Sequence, residues 1–133
     1  MDRNLGSAGD RVRRVLCIGS LLWDVVGTAL EPMRPGDDRP GRIRRLPGGV
    51  AYNIAAALAR AGLAPVLLSA VGADAEGRAL LAAAEAAGID TRHVLVSEAI
   101  RTDSYMAIEA GGSVLAALAD AHGLEAMGAR ILA

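Results

Sequence analysis

The sequence predicts an α/β fold built around a parallel sheet, and three observations support this prediction. Apolar runs of strand length alternate with segments of helical period, which is the strand–helix–strand rhythm of parallel sheets. The composition is 53% hydrophobic, yet the aromatic residues are one tryptophan and two tyrosines, so the core must be aliphatic. The three or four strands available are too few for a parallel sheet covered on both faces. We therefore expect the first part of a larger α/β domain.

The chain begins with a polar segment, residues 1–13, which predicts a flexible tail. The apolar run VLCIGSLLWDVVG (15–27) is interrupted by Gly19-Ser20 and predicts a strand, a turn and a second extended piece. In the segment that follows, prolines and the lack of any period indicate loop or edge structure. The four arginines of RPGRIRR (39–45) are expected on the solvated face of an edge strand rather than in a nucleic-acid patch.

Two helices and two further strands come next. Residues 51–61 have apolar residues at helical spacing, and Gly62 supplies a C-terminal stop. Residues 64–72 predict a buried strand. A second helix is predicted over residues 73–88, with Asp74 at its start, and a short third strand follows it. The apolar residues at helical spacing in the first helix are Ala51, Ile54, Ala55 and Leu58. In the second helix, Leu80, Leu81 and Ala84 are expected on the inner face.

After residue 100 the pattern changes. The segment TDSYMAIEAGGSVLAAL (102–118) predicts two strands around Gly111-Gly112, although residues 114–122 fit a helix equally well. The last segment, GLEAMGARILA (123–133), predicts a short helix that leads into a strand.

Composition and charge exclude several classes of function. All 14 basic residues are arginines, so no lysine nucleophile is available, and a formal net charge of −1 gives no general attraction for nucleic acid. The single cysteine, Cys17, excludes an internal disulfide and suits a reducing compartment. The N-terminus lacks the apolar stretch of a signal peptide, and no apolar run is long enough to span a membrane. We expect a cytoplasmic protein without nucleic-acid or membrane partners.

Three features could carry chemistry. Gly48-Gly49 opens the first predicted helix, either as a tight turn or because a ligand must approach the backbone at the helix N-terminus. Asp24 lies in an apolar strand, where a carboxylate either faces a cavity or ends the strand in water. Asn53 either caps the helix locally or binds hydroxyl groups through its amide. The glycines fit neither a G-x-G-x-x-G fingerprint nor a phosphate loop.

These features occur in a fixed order along the chain. A strand with an aspartate is followed by a Gly-Gly-x-x-x-Asn helix, and then by a strand with the pattern Gly-x-Asp-x-x-Gly (Gly72, Asp74, Gly77). In this order, residues 14–133 resemble the ribokinase-like (PfkB) family of carbohydrate and nucleoside kinases. The form PGGVAxN looks most like the pseudouridine kinase-like branch. The resemblance implies the N-terminal portion of a three-layer α/β/α fold with a small β lid, the sheet being incomplete in this chain.

The resemblance also implies a site for a small-molecule sugar or nucleoside. Asp24 would bind sugar hydroxyls from the end of the first strand, Gly48 and Gly49 would let the sugar lie on the backbone, and Asn53 would complete the hydroxyl contacts. Weaker candidates for the pocket are Thr102, Tyr105 and Asp120. The lid would be formed by residues 25–46 and about 100–118, and a homodimer through the lid is possible. The departures from GGKGAN at Val50 and Tyr52 leave the substrate open.

The complete protein would use Mg-ATP to phosphorylate a ribose-like hydroxymethyl group. The family's Gly-Ala-Gly-Asp catalytic segment belongs to the second half of the domain, and Asp10 of GSAGD (6–10) precedes the first strand and opens no apolar helix. No catalytic, cofactor-binding or metal residue is therefore predicted in this chain, which would be an N-terminal fragment inactive alone. The alternatives are a non-catalytic sugar-binding or β-lid dimerisation module and, less well matched, an unrelated α/β nucleotide-binding domain.

Overall fold

The structure is a computed structural model that describes residues 12–133. The predicted tail falls almost entirely outside the described residues, as does Asp10. The strands are β1 Arg14–Ile18, β2 Leu22–Ala29, β3 Gly41–Gly48, β4 Ala64–Leu68, β5 Ala70–Gly72, β6 Leu95–Ser97, β7 Ser104–Ala110 and β8 Ser113–Asp120. The helices are α1 Val50–Arg60, α2 Ala75–Ala86 and α3 Gly123–Met127, and a 3₁₀ turn spans Gly128–Leu132.

A parallel core sheet is built from the strands that alternate with helices. Strand β1 pairs with β4, and β5 pairs with β6, both in parallel. The single strand predicted over residues 64–72 is interrupted at Ser69, whose carbonyl accepts a hydrogen bond from Leu95 N–H (3.0 Å). The β5-β6 pair therefore follows directly after the β1-β4 pair, and we call the two parallel pairs together the core sheet. The prediction of an α/β fold with a parallel sheet is confirmed.

Helices α1 and α2 cover one face of the core sheet. Ala55, Leu67 and Leu80 are completely buried in a single aliphatic cluster. Leu81 and Leu58 pack at its margin, whereas Ile54, which shares the helical spacing of Ala51 and Leu58, is 51% exposed. The small residues Ala51, Ala55 and Ala56 form the buried stripe of α1 instead, which lets this helix lie close to the sheet.

A second sheet, which we call the outer sheet, has the strand order β3-β2-β7-β8. Strand β3 lies at its edge and is exposed over most of its length, as predicted for the arginine-rich segment. The two segments expected to form a lid contribute most of these strands. Residues 113–120, which also fit a helix, form a strand because β8 pairs antiparallel with β7.

The end of the chain differs from its prediction. Helix α3 is followed by a 3₁₀ turn, not by a strand. Gly128 adopts a φ of +51°, which ends the helix, and the following residues have no neighbouring strand to pair with among residues 12–133. Among these residues, no helix is both long and apolar enough to cross a membrane.

Candidate functional site

The glycine pair joins the outer sheet to helix α1. Gly49 is the N-cap residue of α1 and has a φ of +97°, a conformation that favours glycine. A side chain at Gly49 would collide with the carbonyl group of Ser20, because a Cβ atom there would stand 2.7 Å from the carbonyl carbon. The glycine is therefore required by a close approach of the protein's own backbone.

Ser20 supplies the helix cap that Gly49 lacks. Its Oγ accepts a hydrogen bond from Val50 N–H (3.0 Å), and its carbonyl accepts one from Tyr52 N–H (3.3 Å). These contacts pair two of the otherwise unsatisfied N–H groups at the start of α1. Ser20 is a site-building residue that the sequence reasoning missed, because its partners lie 30 residues further along the chain.

Asp24 lies directly over the first glycine of the pair. It is the third residue of β2 in the outer sheet, so the expectation that it ends the first strand is wrong: β1 ends at Ile18. A side chain at Gly48 would occupy the space of the Asp24 carboxylate, since a Cβ atom there would stand only 3.2 Å from Oδ1 and closer still to Oδ2. Gly48 is therefore needed to accommodate this carboxylate.

The Asp24 carboxylate is half-buried and has no hydrogen-bond or ion-pair partner among the described residues. Burial raises its pKa above the ordinary value. A carboxylate in this state can accept hydrogen bonds from ligand hydroxyl groups without first breaking an internal contact.

Asn53 lies on the other side of the glycine pair. It is the fourth residue of α1, and its N–H donates a hydrogen bond to the Gly49 carbonyl (2.9 Å). Its side chain is exposed, and within residues 12–133 its amide makes no hydrogen bond. The amide is therefore not used as a local cap, and it is available to both donors and acceptors of a ligand.

The weaker candidates fall in three different environments. Tyr105 is the register partner of Asp24, so both side chains point to the same face of the outer sheet. Asp120 pairs with Ser104, one position along the strands, and therefore belongs to the opposite face. The structure thus brings Tyr105 to the Asp24 face and directs Asp120 away from it.

Thr102 is engaged by its own chain. Its hydroxyl donates a hydrogen bond to Asp74 Oδ1 (2.6 Å) and accepts one from Gly72 N–H (3.0 Å), while its N–H donates to Asp74 Oδ2 (3.0 Å). Asp74 also accepts a hydrogen bond from Gly77 N–H (2.7 Å) as the N-cap of α2. Burial raises the pKa of Asp74, but these hydrogen bonds outweigh it and leave the pKa below its ordinary value.

The Gly-x-Asp-x-x-Gly motif therefore has a structural role here. A side chain at Gly72 would lie 2.7 Å from Thr102 N, and one at Gly77 would lie 2.8 Å from Thr102 Oγ1. Both glycines let the segment that enters β7 lie against the start of α2. The sequence showed the motif, but its partner Thr102 is close only in the folded chain.

Within residues 12–133, no group of three or more His, Cys, Asp or Glu side chains could hold a metal ion. The polar groups gathered around the glycine pair are one carboxylate, one amide and backbone groups. This set suits hydroxyl recognition, and it does not fit a resident magnesium site.

Comparison with known proteins identifies relatives of this chain. The model of the pfkB family of carbohydrate kinases matches residues 12–126. The chain is 38% identical over 120 residues to the pseudouridine kinase of Escherichia coli K12. The match covers 90% of this chain and 38% of that relative, so the chain spans well under half of the relative's length.

Solved structures show the same fold over a similar share of their length. A carbohydrate kinase from Agrobacterium tumefaciens matches with a TM-score of 0.71 and 30% identity, over 82% of this chain and 36% of that one. A ribokinase from Cryptococcus neoformans in complex with ADP matches with a TM-score of 0.63 and 26% identity, over 84% of this chain and 35% of that one.

Proposed function

Because the chain belongs to the pfkB family of carbohydrate kinases, we propose that it is the substrate-binding N-terminal part of a sugar or nucleoside kinase. The observation that carries the proposal is the Asp24 carboxylate, which lies over Gly48 next to the start of α1 and has no partner among residues 12–133. Polyols suit such a site because each hydroxyl needs a directional partner, and a lost hydrogen bond leaves a buried polar group unpaired.

In this proposal the chain's residues bind and orient the substrate. Asp24 accepts hydrogen bonds from sugar hydroxyls, and the Asn53 amide pairs with a neighbouring hydroxyl. The glycine pair contributes by accommodating the Asp24 carboxylate and Ser20, which fill the space of the missing side chains, rather than by letting a sugar lie on the backbone. Tyr105 borders the same face of the outer sheet. Holding the substrate in one orientation is a large part of catalysis in phosphoryl transfer.

Phosphoryl transfer itself needs groups beyond those described. In the complete protein Mg-ATP would supply the phosphoryl group and neutralise its charge. We assign no binding site for magnesium or ATP to residues 12–133, because the single carboxylate near the glycine pair does not make a metal-binding group. The chain by itself is expected to bind substrate without phosphorylating it. A cytoplasmic location and a homodimer through the lid remain predictions.

Pseudouridine is the first substrate to test, because the relative at 38% identity is a pseudouridine kinase. The polypeptide would be purified from its natural cells, its intact mass measured, and the preparation incubated with Mg-ATP and pseudouridine, uridine, ribose or fructose. We expect a mass well above 13.6 kDa together with phosphorylation of pseudouridine. A mass of 13.6 kDa with sugar binding but no phosphorylation would favour the non-catalytic sugar-binding alternative.

The site assignment is tested in the same polypeptide by the variants Asp24→Asn and Asn53→Ala. Each removes a hydroxyl partner, so affinity for the accepted substrate should fall by at least about tenfold, measured by calorimetry. Asp38→Asn is the matched control, because Asp38 is exposed in the loop between β2 and β3 and lies away from the glycine pair. Unchanged affinity in Asp24→Asn and Asn53→Ala would refute the assignment.

A further inference from the structure

The first turn of α2 is tied to the outer sheet at two places. The first tie is the hydrogen bonding of Asp74 to Thr102, just before β7 begins. The second lies two residues further along the chain and involves Glu76 and two residues of the outer sheet. Both ties connect the core helix to strands that carry the candidate site.

The second tie consists of three contacts among Trp23, Arg45 and Glu76. The Trp23 indole Nε1–H donates a hydrogen bond to the Glu76 carbonyl (3.1 Å). The Arg45 guanidinium lies 3.9 Å from the centre of the Trp23 ring, within the range of a cation–π interaction. Arg45 also forms an ion pair with the Glu76 carboxylate. We call these three residues the latch.

The latch lies on the opposite face of the outer sheet from Asp24. Trp23 immediately precedes Asp24 in β2, so their side chains point to opposite faces. Arg45 lies on β3, one residue before the register partner of Asp24, Leu46. Trp23 N–H additionally donates a hydrogen bond to the Asp103 carbonyl (3.1 Å), which joins β2 to the segment that enters β7. The latch therefore holds the parts of β2 and β3 that lie next to Asp24 and set the position of its carboxylate.

We propose that the latch fixes the outer sheet against α2, which makes Arg45 and Glu76 positioning residues for Asp24. Its charged groups are partly solvated, since the side chains of Arg45 and Glu76 are 42% and 54% exposed. An exposed ion pair contributes a modest and salt-sensitive stabilisation, so the latch stabilises this placement of the sheet only modestly. The consequence for substrate binding rests on the proposed function, whereas the latch itself does not.

The experiment uses the 133-residue chain, in which Trp23 is the only tryptophan. Trp23 emission therefore reports on the latch, and the titration of the Asp24 carboxyl, followed by carbon NMR, reports on the position of Asp24. The variants are Arg45→Gln and Glu76→Gln. The matched controls are Arg44→Gln and Glu98→Gln. Arg44 is an exposed neighbour of Arg45 on β3 whose side chain points to the face of Asp24, and Glu98 is an exposed glutamate outside the latch.

Both latch variants should shift Trp23 emission to longer wavelength, because the indole becomes more solvated. They should also lower the pKa of Asp24 towards its ordinary value, because release of the sheet relieves its burial. In Arg45→Gln, loss of the cation alone would raise the pKa of Asp24, so a lowered pKa in this variant shows movement of the sheet and not a direct charge effect. In Glu76→Gln, loss of the anion alone would lower that pKa, so Arg45→Gln is the deciding variant. The controls should not lower the pKa of Asp24. Affinity for pseudouridine should fall about two- to tenfold in the latch variants.

The charge-swapped double variant, Arg45→Glu with Glu76→Arg, should bring the pKa of Asp24 part of the way back to its wild-type value. If Arg45→Gln does not fold, as judged by circular dichroism, Arg45→Lys and wild-type protein in 1 M NaCl provide the same comparison.

Identical emission and Asp24 titration in the latch variants and the wild type would overturn the proposal. An emission shift without a change at Asp24 would also overturn it, because the latch would then not position that residue. A wild type that binds no sugar, with the expected shifts present, would refute the proposed function and support the latch.

Discussion

At the scale of single residues, Gly49 is the position where backbone conformation and packing act together. Its φ of +97° disfavours any side chain, and Ser20 occupies the space that a Cβ atom would need. Ser20 provides the oxygen that caps α1. A serine or aspartate at position 49, although a common capping residue, would push Ser20 away and so remove the existing cap.

We predict that Gly49→Ala lowers the free energy of unfolding by more than about 2 kcal/mol, because strain in φ adds to a collision with backbone atoms. Gly62→Ala is the control, since Gly62 has a φ of +81° but no atom within 4 Å of the Cβ position. It should cost only about 1 kcal/mol. Urea denaturation measures both values, and equal losses would mean that the contact with Ser20 contributes nothing.

Asp74 gives the chain a stability that depends on pH. Its folded pKa is lowered, so the stabilisation is fully present above the ordinary pKa of an aspartate and is lost as the pH falls through the folded value. We predict that Asp74→Asn lowers the thermal midpoint at pH 7 and that the difference from wild type shrinks at pH 2–3. A difference of the same size at both pH values would show that the charge of Asp74 is unimportant.

At the scale of secondary-structure elements, α2 contributes to the core through very few side chains. Leu80 and Ala84 are completely buried, whereas most of the helix is exposed. We predict that Leu80→Ala costs about 2–5 kcal/mol of unfolding free energy, because the cavity cannot collapse fully. Leu118→Ala is the matched control: Leu118 is 71% exposed on β8, so its loss should change stability by less than about 0.5 kcal/mol. Comparable losses would contradict the assigned core.

The element that the pattern left ambiguous is β8. All of its residues are exposed, so neither a period of two nor one of 3.6 marks a buried face. Pairing with β7 decides its structure, because the backbone groups of a strand form their hydrogen bonds with a neighbouring strand and not within the strand itself. A similar reason explains the 3₁₀ turn at residues 128–132, where apolar residues predicted a strand but no partner strand from residues 12–133 lies alongside.

At the scale of the whole molecule, the described residues leave one face of the core sheet uncovered at β1. Leu16 and Ile18 are 56% and 55% exposed on the face opposite α1 and α2, beside a cavity of about 400 Å³ lined by Leu16, Val66 and Leu68. The outer sheet has a second apolar surface, which includes Leu118. Exposed apolar surface of this kind promotes association.

We predict that the 133-residue chain associates in a concentration-dependent way, detected by sedimentation velocity. Ile18→Ser should weaken association if the bare face of the core sheet is responsible, and Leu118→Ser should weaken it if the outer sheet is the interface. The thermal midpoint of each variant shows whether folding is preserved. A monomeric wild type at high concentration would contradict the prediction.

The sequence by itself determined the α/β class, the order of most strands and helices, and the family. Periodicity and helix-stop glycines are local, so α1, α2 and most strands could be located without coordinates. It also singled out Asp24, Gly48, Gly49 and Asn53, because a charge in an apolar run and a paired glycine are visible in one dimension.

Only the tertiary structure decided what these residues contact. The contacts of Ser20 with the start of α1, of Asp74 with Thr102, and of Trp23 and Arg45 with Glu76 join residues roughly 30 to 50 positions apart. No local pattern encodes such contacts, because they depend on how two sheets and a helix are placed in space. The pairing of strands likewise assigned Tyr105 to the face of Asp24 and Asp120 to the other face, since register is a property of two strands and not of either alone.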